Sequence, residues 1–447
     1  MFFRNRFLQF LILLISGMFV FCFGNSQYTP PETWETPFGF GEHGLWYPIK
    51  ISSLKPGMLR EGIYWPDVEK EKGKYVFPEH NRQSLNFMNQ NRIEPLYILA
   101  GNNIFYSNAD VNQITIEHQK TNGDFKFFWG VHTQENIKAF VNYAKFVVKE
   151  TKGRAKYFEI WNEIDRDSWV PMKGASNESI MEYTKLLKAV YPEIKKVNPD
   201  AVVLAGIANT QRALELIMKH AGNYIDGMSI HPYVHNQKSP EAGGLVEKLK
   251  QFREVIDEYR PGLPILVTEF GYVSEKPNND YALPLNTYQQ AQYLVRGSLL
   301  ITSLPNIERS LIYVFADEMA EPMVNRRAFG VVRRDTSGTT KLSYDAIQTL
   351  IHITMGHKLK KTEKIGTDGY HYMYESQFGD WLHVIWKDGE PEKVFLTVNT
   401  EHVIITNLLG KDSLHETKDG KLEFWNTQDV IYIRKALPHE VRLWHTR

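Results

Sequence analysis

The chain has 447 residues, enough for a barrel domain of about 250 residues and a smaller second domain. Hydrophobic residues make up 43% and charged residues 23%, as in a globular protein with a large core. The 52 basic residues balance the 52 acidic ones, so the sequence lacks the basic surplus that is common in nucleic-acid-binding proteins. We therefore expect no nucleic-acid partner.

The N-terminus has the pattern of an export signal: a basic start followed by an apolar run over residues 7–23. Such a segment is either cleaved, here after Gly24, or retained as a membrane anchor, for which its length is just sufficient. The only cysteine, Cys22, lies within it, so the mature chain would contain no disulfide. We expect an exported protein that is periplasmic, secreted or anchored in the inner membrane through residues 7–23.

After a signal peptide or anchor at 1–24 and a Pro-rich linker at 25–37, short apolar runs alternate with amphipathic stretches. This alternation is typical of βαβ units and a parallel sheet. Eight such runs favour a closed (β/α)8 TIM barrel at 38–356 over an open sheet, which typically has five or six strands. Helical spacing is found at 133–151, 179–198, 243–259 and 288–304. The eight predicted strands are Phe38–Glu42, Met58–Tyr64, Glu94–Leu99, Tyr157–Trp161, Ala201–Ile207, Gly227–His231, Ile265–Glu269 and Ser310–Phe315.

The pattern changes near residue 357, where short alternating runs are separated by Gly, Asp and Asn turns. They predict a C-terminal all-β sandwich domain at 357–447. We expect this domain to support the barrel, and to bind carbohydrate only if Trp381, Trp386 and Trp425 share one exposed face. Its predicted strands are Tyr370–Ser376, Trp381–Trp386, Lys393–Val398, Val403–Asn407 and Val430–Arg434.

Two glutamates stand at the ends of predicted barrel strands, where the active site of such a barrel lies. Glu163 follows the fourth strand and Glu269 ends the seventh, so their carboxylates can face each other across the barrel mouth. A retaining glycosidase uses such a pair about 5 Å apart, one as acid/base and one as nucleophile. The competing interpretation is that both are ordinary glutamates at helix starts, which the helix dipole favours.

Other polar and aromatic residues have more ordinary interpretations. Glu159 is expected to be a buried structural carboxylate that pairs with a cation such as Arg60, because an unpaired buried charge is costly. Trp65 is expected to pack in the core or between loops rather than to form a sugar platform. Loop residues that could line a cleft are His43, Asn102, Tyr106, Trp129 and His132.

The sequence lacks the common spacings of metal ligands, such as His-Glu-x-x-His or a Cys pair. It also lacks the Gly-x-Ser-x-Gly motif of serine hydrolases. We therefore expect neither a metal nor a cofactor.

The strand-end motifs, in their order along residues 38–350, resemble those of clan A glycoside hydrolases. They are most like family 39, with its bacterial exopolysaccharide glycosidases and xylosidases. The matching stretches are Leu59–Glu69, Trp161-Asn162-Glu163, Ser229–Tyr233, Thr268–Gly271, Tyr313–Asp317, Phe329–Val332 and Lys341–Tyr344.

This resemblance implies a role for each matching residue. Glu163 would protonate the leaving oxygen and then activate water, and Glu269 would form a glycosyl-enzyme intermediate. Asn162 would bind the sugar hydroxyl next to the reacting carbon. Arg60 and Tyr233 would keep Glu269 ionised and oriented.

Two further positions concern the sugar subsite itself. The resemblance implies that His231 lines this subsite. The clan usually places Trp at the end of strand eight as a platform under the sugar, and here Tyr313 stands there with a smaller ring.

The expected activity is hydrolysis of β-glycosidic bonds in an extracellular or periplasmic polysaccharide, with retention and with endo action. The resemblance alone points to a biofilm-matrix or capsular glycan as the substrate, and we expect a monomer. Three alternatives stay open: an exo-acting β-xylosidase-like enzyme on short oligosaccharides, a transglycosylase with the same catalytic residues, and a non-catalytic glycan-binding barrel.

Overall fold

The computed structural model describes residues 33–106, 131, 133–166, 176–274, 285–318 and 328–445. The apolar run at 7–23, most of the linker, Trp129 and His132 lie outside these residues, and the predictions made for them stay predictions. Among the described helices, none has the length and apolar character needed to cross a membrane.

Eight parallel strands close into a barrel in chain order, with β8 hydrogen-bonded back to β1. The predicted (β/α)8 fold is therefore confirmed. The strands are β1 Phe38–Gly41, β2 Met58–Tyr64, β3 Glu94–Ala100, β4 Tyr157–Ile160, β5 Val202–Ile207, β6 Gly227–Ile230, β7 Ile265–Phe270 and β8 Ile307–Ile312.

Strand β8 begins and ends three residues earlier than predicted. The apolar run that predicted Ser310–Phe315 continues past the strand because Val314 packs in a separate loop cluster with Val273 and Phe329. Tyr313 therefore follows the strand directly, and its backbone N–H still donates to the carbonyl of Phe270 at 2.8 Å.

The described residues form ten α-helices, and the predicted helical stretches agree with them closely. The stretch at 133–151 corresponds to a helix at Gln134–Glu150, whose N-cap Thr133 accepts a hydrogen bond from the backbone N–H of Asn136 at 3.1 Å. The helices are α1 Pro48–Leu54, α2 Trp65–Val68, α3 Glu79–Gln90, α4 Gln134–Glu150, α5 Asn177–Val197, α6 Gln211–Ala221, α7 Leu245–Tyr259, α8 Thr287–Thr302, α9 Leu342–Thr354 and α10 Pro438–His445.

The barrel interior is apolar at one level and polar at the next. Side chains two residues apart on a strand face the same side, so each strand contributes to successive layers. In β2, β4 and β7 an apolar residue is followed two positions later by Arg60, Glu159 and Thr268. The polar layer thus rests on an apolar cluster made of Met58, Leu96, Tyr157, Leu204, Leu266 and Leu311.

The C-terminal region is a sandwich of antiparallel sheets, as predicted. A six-stranded sheet in the order β14-β13-β16-β11-β10-β9 lies against the two-stranded sheet β12-β15, with a small apolar core between them. The strands are β9 His357–Ile365, β10 Gly369–Ser376, β11 Trp381–Trp386, β12 Glu392–Thr397, β13 His402–Thr406, β14 Asp412–Glu416, β15 Lys421–Asn426 and β16 Ile431–Lys435.

The three tryptophans of this region do not share one face. Trp386 is fully buried against the barrel, where its Nε1 donates to Glu241 at 2.7 Å. Trp381 packs at the edge of the small core between the sheets, and Trp425 is 61% exposed on β15. The condition for a tryptophan-lined carbohydrate surface is therefore not met by these three residues.

A buried ion-pair cluster joins the sandwich to the barrel. Arg296 of α8 donates from Nε to Glu241 at 3.0 Å and from an Nη atom to Asp388 at 2.6 Å. Asp388 also accepts a hydrogen bond from Ser239 at 2.7 Å. The arginine side chain is inaccessible to solvent, so its removal would take a buried positive charge away from both carboxylate partners.

We predict that Arg296→Met lowers the free energy of unfolding by about 3 kcal/mol, because breaking a buried ion pair leaves uncompensated charge. Lys393→Met is the matched control, because it breaks an ion pair of 2.6 Å between side chains that are about half exposed. That change should cost no more than about 0.5 kcal/mol. Thermal unfolding of both variants measures the difference, and equal midpoints would contradict a stabilising role for Arg296.

Candidate active site

Arg60 lies at the centre of the polar layer and contacts three other site residues. Its Nε and one Nη atom donate to the two carboxylate oxygens of Glu159, at 2.7 and 3.1 Å. The same Nη atom donates to Oδ1 of Asn162 at 2.7 Å, and the other donates to Glu269 at 2.6 Å. The predicted pairing of Glu159 with Arg60 is therefore confirmed. Burial disfavours the charged guanidinium, but Glu159 and Glu269 outweigh burial and raise the pKa of Arg60.

Glu269, near the end of β7, is held as an ionised carboxylate. One oxygen accepts from Arg60, and the other accepts from the hydroxyl of Tyr233 at 3.0 Å. Burial raises the pKa of Glu269, but the positive groups of His231 and Arg60 and the two hydrogen bonds outweigh burial, so the pKa lies below its ordinary value. A carboxylate in this state accepts protons poorly and is available for attack on an electrophile.

Glu163 reaches the site through an unusual backbone path after β4. Both Trp161 and Glu163 have positive φ angles, 66° and 46°, in the left-handed region that bulky residues rarely adopt. Backbone conformations of this kind concentrate at functional sites. They turn the Glu163 carboxylate towards His231, whose Nδ1 lies 2.8 Å from Oε1, and Arg166 lies 3.8 Å from Oε2.

The two glutamates face each other at close range. An oxygen of Glu163, an oxygen of Glu269 and a ring nitrogen of His231 all lie within 4.8 Å of one another. Paired carboxylates lie roughly 5 Å apart in retaining glycosidases and about 6.5–9.5 Å apart in inverting ones, so oxygens within 4.8 Å of each other favour the retaining arrangement.

The same three residues are the one group of potential metal ligands found among the described residues. Their geometry is fully explained by direct bonds within the protein. Glu163 and His231 are hydrogen-bonded to each other, and the positive charge beside Glu269 is already supplied by Arg60. We therefore do not assign a metal site here.

His231 is buried between the two glutamates. Its side chain is inaccessible to solvent, Nε2 lies 3.0 Å from the hydroxyl of Thr268, and Nδ1 lies 3.6 Å from Glu269. Burial lowers the pKa of His231, but the charge of Glu269 and the hydrogen bond and charge of Glu163 outweigh burial and raise it. Its predicted contact with the sugar stays a prediction, and the contacts that the structure gives it are with protein groups.

An aromatic wall borders Glu269. The rings of Tyr233, Tyr313 and Phe329 pack edge to face, with centroids 5.5–6.5 Å apart. The hydroxyl of Tyr313 donates to Glu318 and lies 3.3 Å from Nε2 of His43. Neither Phe329 nor Glu318 was predicted for the site. Phe329 lies in one of the stretches that resemble clan A, but no spacing in the sequence indicates its place beside Tyr313.

Trp65 and Tyr106 belong to the packing of the barrel. Trp65 is fully buried and stacks on Tyr106 and Tyr143, which confirms its predicted place in the core. The hydroxyl of Tyr106 donates to Glu69 at 2.6 Å. Asn102 follows β3 and is 8% exposed, so it offers little surface to a ligand.

The fold is similar to those of several solved glycoside hydrolases. A family 39 glycoside hydrolase from Bacteroides cellulosilyticus WH2 superposes with a TM-score of 0.66 and 21% identity over 90% of this chain and 81% of that chain. An α-L-arabinofuranosidase from Thermotoga maritima gives 0.63 and 14% identity over 92% and 99%. The catalytic domain of a GH30 xylanase C from Talaromyces cellulolyticus gives 0.60 and 11% over 92% and 98%.

The sequence itself matches no protein-family model and no curated protein. At identities of 21% and below, the structural likeness concerns the fold. It confirms the barrel fold that the resemblance to clan A glycoside hydrolases implies.

We predict that Tyr233→Phe raises the pKa of Glu269, because it removes one of the hydrogen bonds that stabilise the ionised carboxylate. The lowered pKa of Glu269 stabilises the folded protein above the pKa of the unfolded state, and this contribution is lost as the pH falls through the folded pKa. The variant should therefore lose part of that contribution at neutral pH.

Tyr313→Phe is the matched control, because the hydroxyl of Tyr313 contacts Glu318 and His43, whereas the hydroxyl of Tyr233 donates to Glu269. Carboxyl ¹³C chemical shifts followed against pH would measure the pKa of Glu269 in each variant. An unchanged midpoint in Tyr233→Phe would contradict the role given to the Tyr233 hydroxyl.

Proposed function

We propose that this chain is a retaining glycoside hydrolase that uses Glu269 as nucleophile and Glu163 as acid/base. The observation that carries the proposal is the pair of carboxylates whose oxygens lie within 4.8 Å of each other in unlike surroundings. Glu269 is surrounded by Arg60, His231 and Tyr233, which favour its ionised form. Glu163 shares a hydrogen bond with a ring nitrogen of His231 that can supply or take up a proton.

The reaction has two steps, and Glu163 transfers one proton in each. In the first, Glu269 bonds to the anomeric carbon, the glycosidic C–O bond breaks, and Glu163 gives its proton to the departing oxygen. In the second, Glu163 removes a proton from water, the water oxygen bonds to the anomeric carbon, and the bond to Glu269 breaks. Two inversions give net retention.

The neighbouring side chains have matching functions in this proposal. Arg60 orients Glu269 and, through the oxygen of Asn162, also fixes the side chain expected to bind the adjacent sugar hydroxyl. Tyr313 and Phe329 supply an aromatic surface beside Glu269 on which the apolar face of a sugar can pack. Tyr313 takes the place of the tryptophan that is usual in clan A.

For the substrate we propose a β-linked polysaccharide outside the cytoplasm, cleaved at internal bonds. The export signal expected at 1–24 supports action on an extracellular or periplasmic polymer. The similarity in fold to a xylanase supports a β-linked glycan, and the similarity to an α-L-arabinofuranosidase makes α-L-arabinofuranosides a necessary part of any substrate panel. Exo action on short oligosaccharides is the alternative within the enzyme class.

A non-catalytic glycan-binding barrel is the alternative outside the enzyme class. Such a protein has no need for two carboxylates at this separation or for the buried charges that keep one of them ionised. The presence of Glu163, Glu269 and Arg60 in one hydrogen-bonded cluster therefore favours a catalytic protein over a binding protein.

We predict that Glu269→Gln and Glu163→Gln each reduce hydrolysis by about 10³-fold or more, since each removes a group that acts directly on the reacting atoms. The assays are reducing-end release from β-linked polysaccharides and cleavage of aryl β-glycosides and aryl α-L-arabinofuranosides. Product size would distinguish endo from exo action, and ¹H NMR of the first-formed anomer would test retention.

Glu178→Gln is the matched control. Asn177-Glu178 is the same dipeptide as Asn162-Glu163, but Glu178 is exposed in the first turn of α5. Its substitution should leave the rate within about twofold. Inversion at the anomeric carbon, or full activity in Glu269→Gln, would contradict the two-glutamate mechanism.

A further inference from the structure

Behind Glu163 lies a row of hydrogen-bonded side chains that the two-glutamate mechanism leaves unexplained. Its members are Glu159 of β4, Ser229 of β6, Thr268 of β7 and His231 directly after β6, and all four are inaccessible to solvent. Buried polar groups of this kind form networks whose proton positions are fixed by their partners. The direction of each hydrogen bond in this row can therefore be worked out from its fixed end.

Glu159 determines which group donates in the first two hydrogen bonds of the row. It is paired with Arg60, and an ionised carboxylate only accepts hydrogen bonds, so Ser229 must donate its single hydroxyl proton to it, across 2.7 Å. The hydroxyls of Ser229 and Thr268 are also hydrogen-bonded to each other. Since the proton of Ser229 is already used, Thr268 must donate in this second bond.

The third bond then determines the state of the histidine. The hydroxyl proton of Thr268 is already used in the hydrogen bond to Ser229. Thr268 can therefore only accept a hydrogen bond from Nε2 of His231, which lies 3.0 Å away. His231 is therefore protonated at Nε2. A neutral imidazole carries one N–H, so Nδ1 can hold a second proton only as an imidazolium.

We propose that Glu159, Ser229 and Thr268 are positioning residues that hold His231 in its Nε2-protonated form, so that Nδ1 of His231 and Oε1 of Glu163 share one exchangeable proton. These two atoms lie 2.8 Å apart. The proton is on Glu163 when His231 is neutral, and on His231 when Glu163 is anionic. The catalytic part of this inference rests on the proposed glycosidase function.

The shared proton accounts for both halves of acid/base catalysis. In the first step the pair gives this proton to the departing oxygen, which leaves the Glu163 carboxylate facing the bare lone pair of Nδ1. Two acceptors at hydrogen-bond distance repel each other. The pair therefore regains a proton readily, and in the second step that proton comes from the attacking water.

The charged groups around the pair act on His231 in opposite directions. Glu269 from β7 and Glu163 itself favour a positive His231, and Arg60 from β2 opposes it. Arg166 lies beside the outer oxygen of Glu163, and Tyr233 lies beside Glu269. Burial lowers the pKa of His231, but the two glutamates outweigh burial and Arg60, so the pKa of His231 lies above its ordinary value.

The first test needs no substrate. Long-range ¹H–¹⁵N correlation spectra report which ring nitrogens of a histidine carry protons, and His231→Gln identifies the signal among the 15 histidines. We expect Nε2 of His231 to be protonated in the wild type. In Ser229→Ala, Thr268 can turn its proton towards Nε2, so the neutral ring should shift to the Nδ1-protonated form. A bare Nε2 in the wild type would overturn the proposal.

The second test uses kcat/KM for aryl β-glycosides that differ in their need for acid. A dinitrophenolate leaves without protonation, whereas a phenolate or an alkoxide needs the proton. Thr268→Val removes the acceptor of Nε2–H at nearly constant volume. It should slow phenyl glycoside cleavage about tenfold or more and dinitrophenyl glycoside cleavage no more than about threefold, since general acid catalysis contributes about 10²–10⁴-fold. Thr268→Ser keeps the hydroxyl and should restore the wild-type pattern.

The kinetic and spectroscopic results test different parts of the proposal. An equal fall on both leaving groups in Thr268→Val would indicate a structural effect and overturn the sharing of the proton. If Thr268→Val does not fold, Ser229→Ala provides the same comparison. If no glycoside is cleaved by the wild type, the proposed function fails and the catalytic half of this inference fails with it, while the spectra alone decide the proton arrangement.

Discussion

The ion pairs of Arg60 are the interaction on which the site depends. One buried guanidinium binds a structural carboxylate, a candidate nucleophile and the amide oxygen of Asn162 at once. Taking a charge out of water costs several kcal/mol, and only good geometry to both carboxylates compensates for it. The planar fork of arginine suits this arrangement, whereas a lysine could not satisfy three partners in fixed directions. The positions of Glu159, Asn162 and Glu269 are thus set together, and none can move independently.

The apolar layer beneath Arg60 makes this arrangement strong. Six apolar side chains fill the barrel just below the polar layer and keep water away from it. Electrostatic interactions increase as the local dielectric constant falls, so the same contacts would be weaker at the surface. The left-handed residues Trp161 and Glu163 stand at the opposite, open side of the polar layer. The packing of the barrel is able to hold this strained backbone because the strand before it is buried on both faces.

The strand order could be predicted because alternation of apolar runs and helical stretches is a property of the sequence itself. The meeting of Glu163 and Glu269 could be predicted from their places at the ends of two such runs, and their catalytic roles stay a proposal. The charged strands β9 and β14 could not be predicted, since both lie at sheet edges where Lys, Asp and Glu replace the usual apolar residues. Strand β15 does alternate, with Leu422, Phe424 and Asn426 buried, so its period of two is a strand signal that the sequence contains. Ser229 and Thr268 lie in two of the matching stretches, but nothing in the sequence indicates a role for their hydroxyls, because that role comes from contacts between different strands.

The contact between the two domains has a consequence for how separable they are. Trp386 and Asp388 of the sandwich bind Glu241 and Ser239, which stand on the barrel segment that follows Tyr233. The C-terminal domain therefore braces the loop that carries one of the donors to Glu269. An accessory module joined only by a linker can be exchanged or lost in evolution without harm to its neighbour. This one is built into the support of the active site, so barrel and sandwich are expected to be inherited as a single unit.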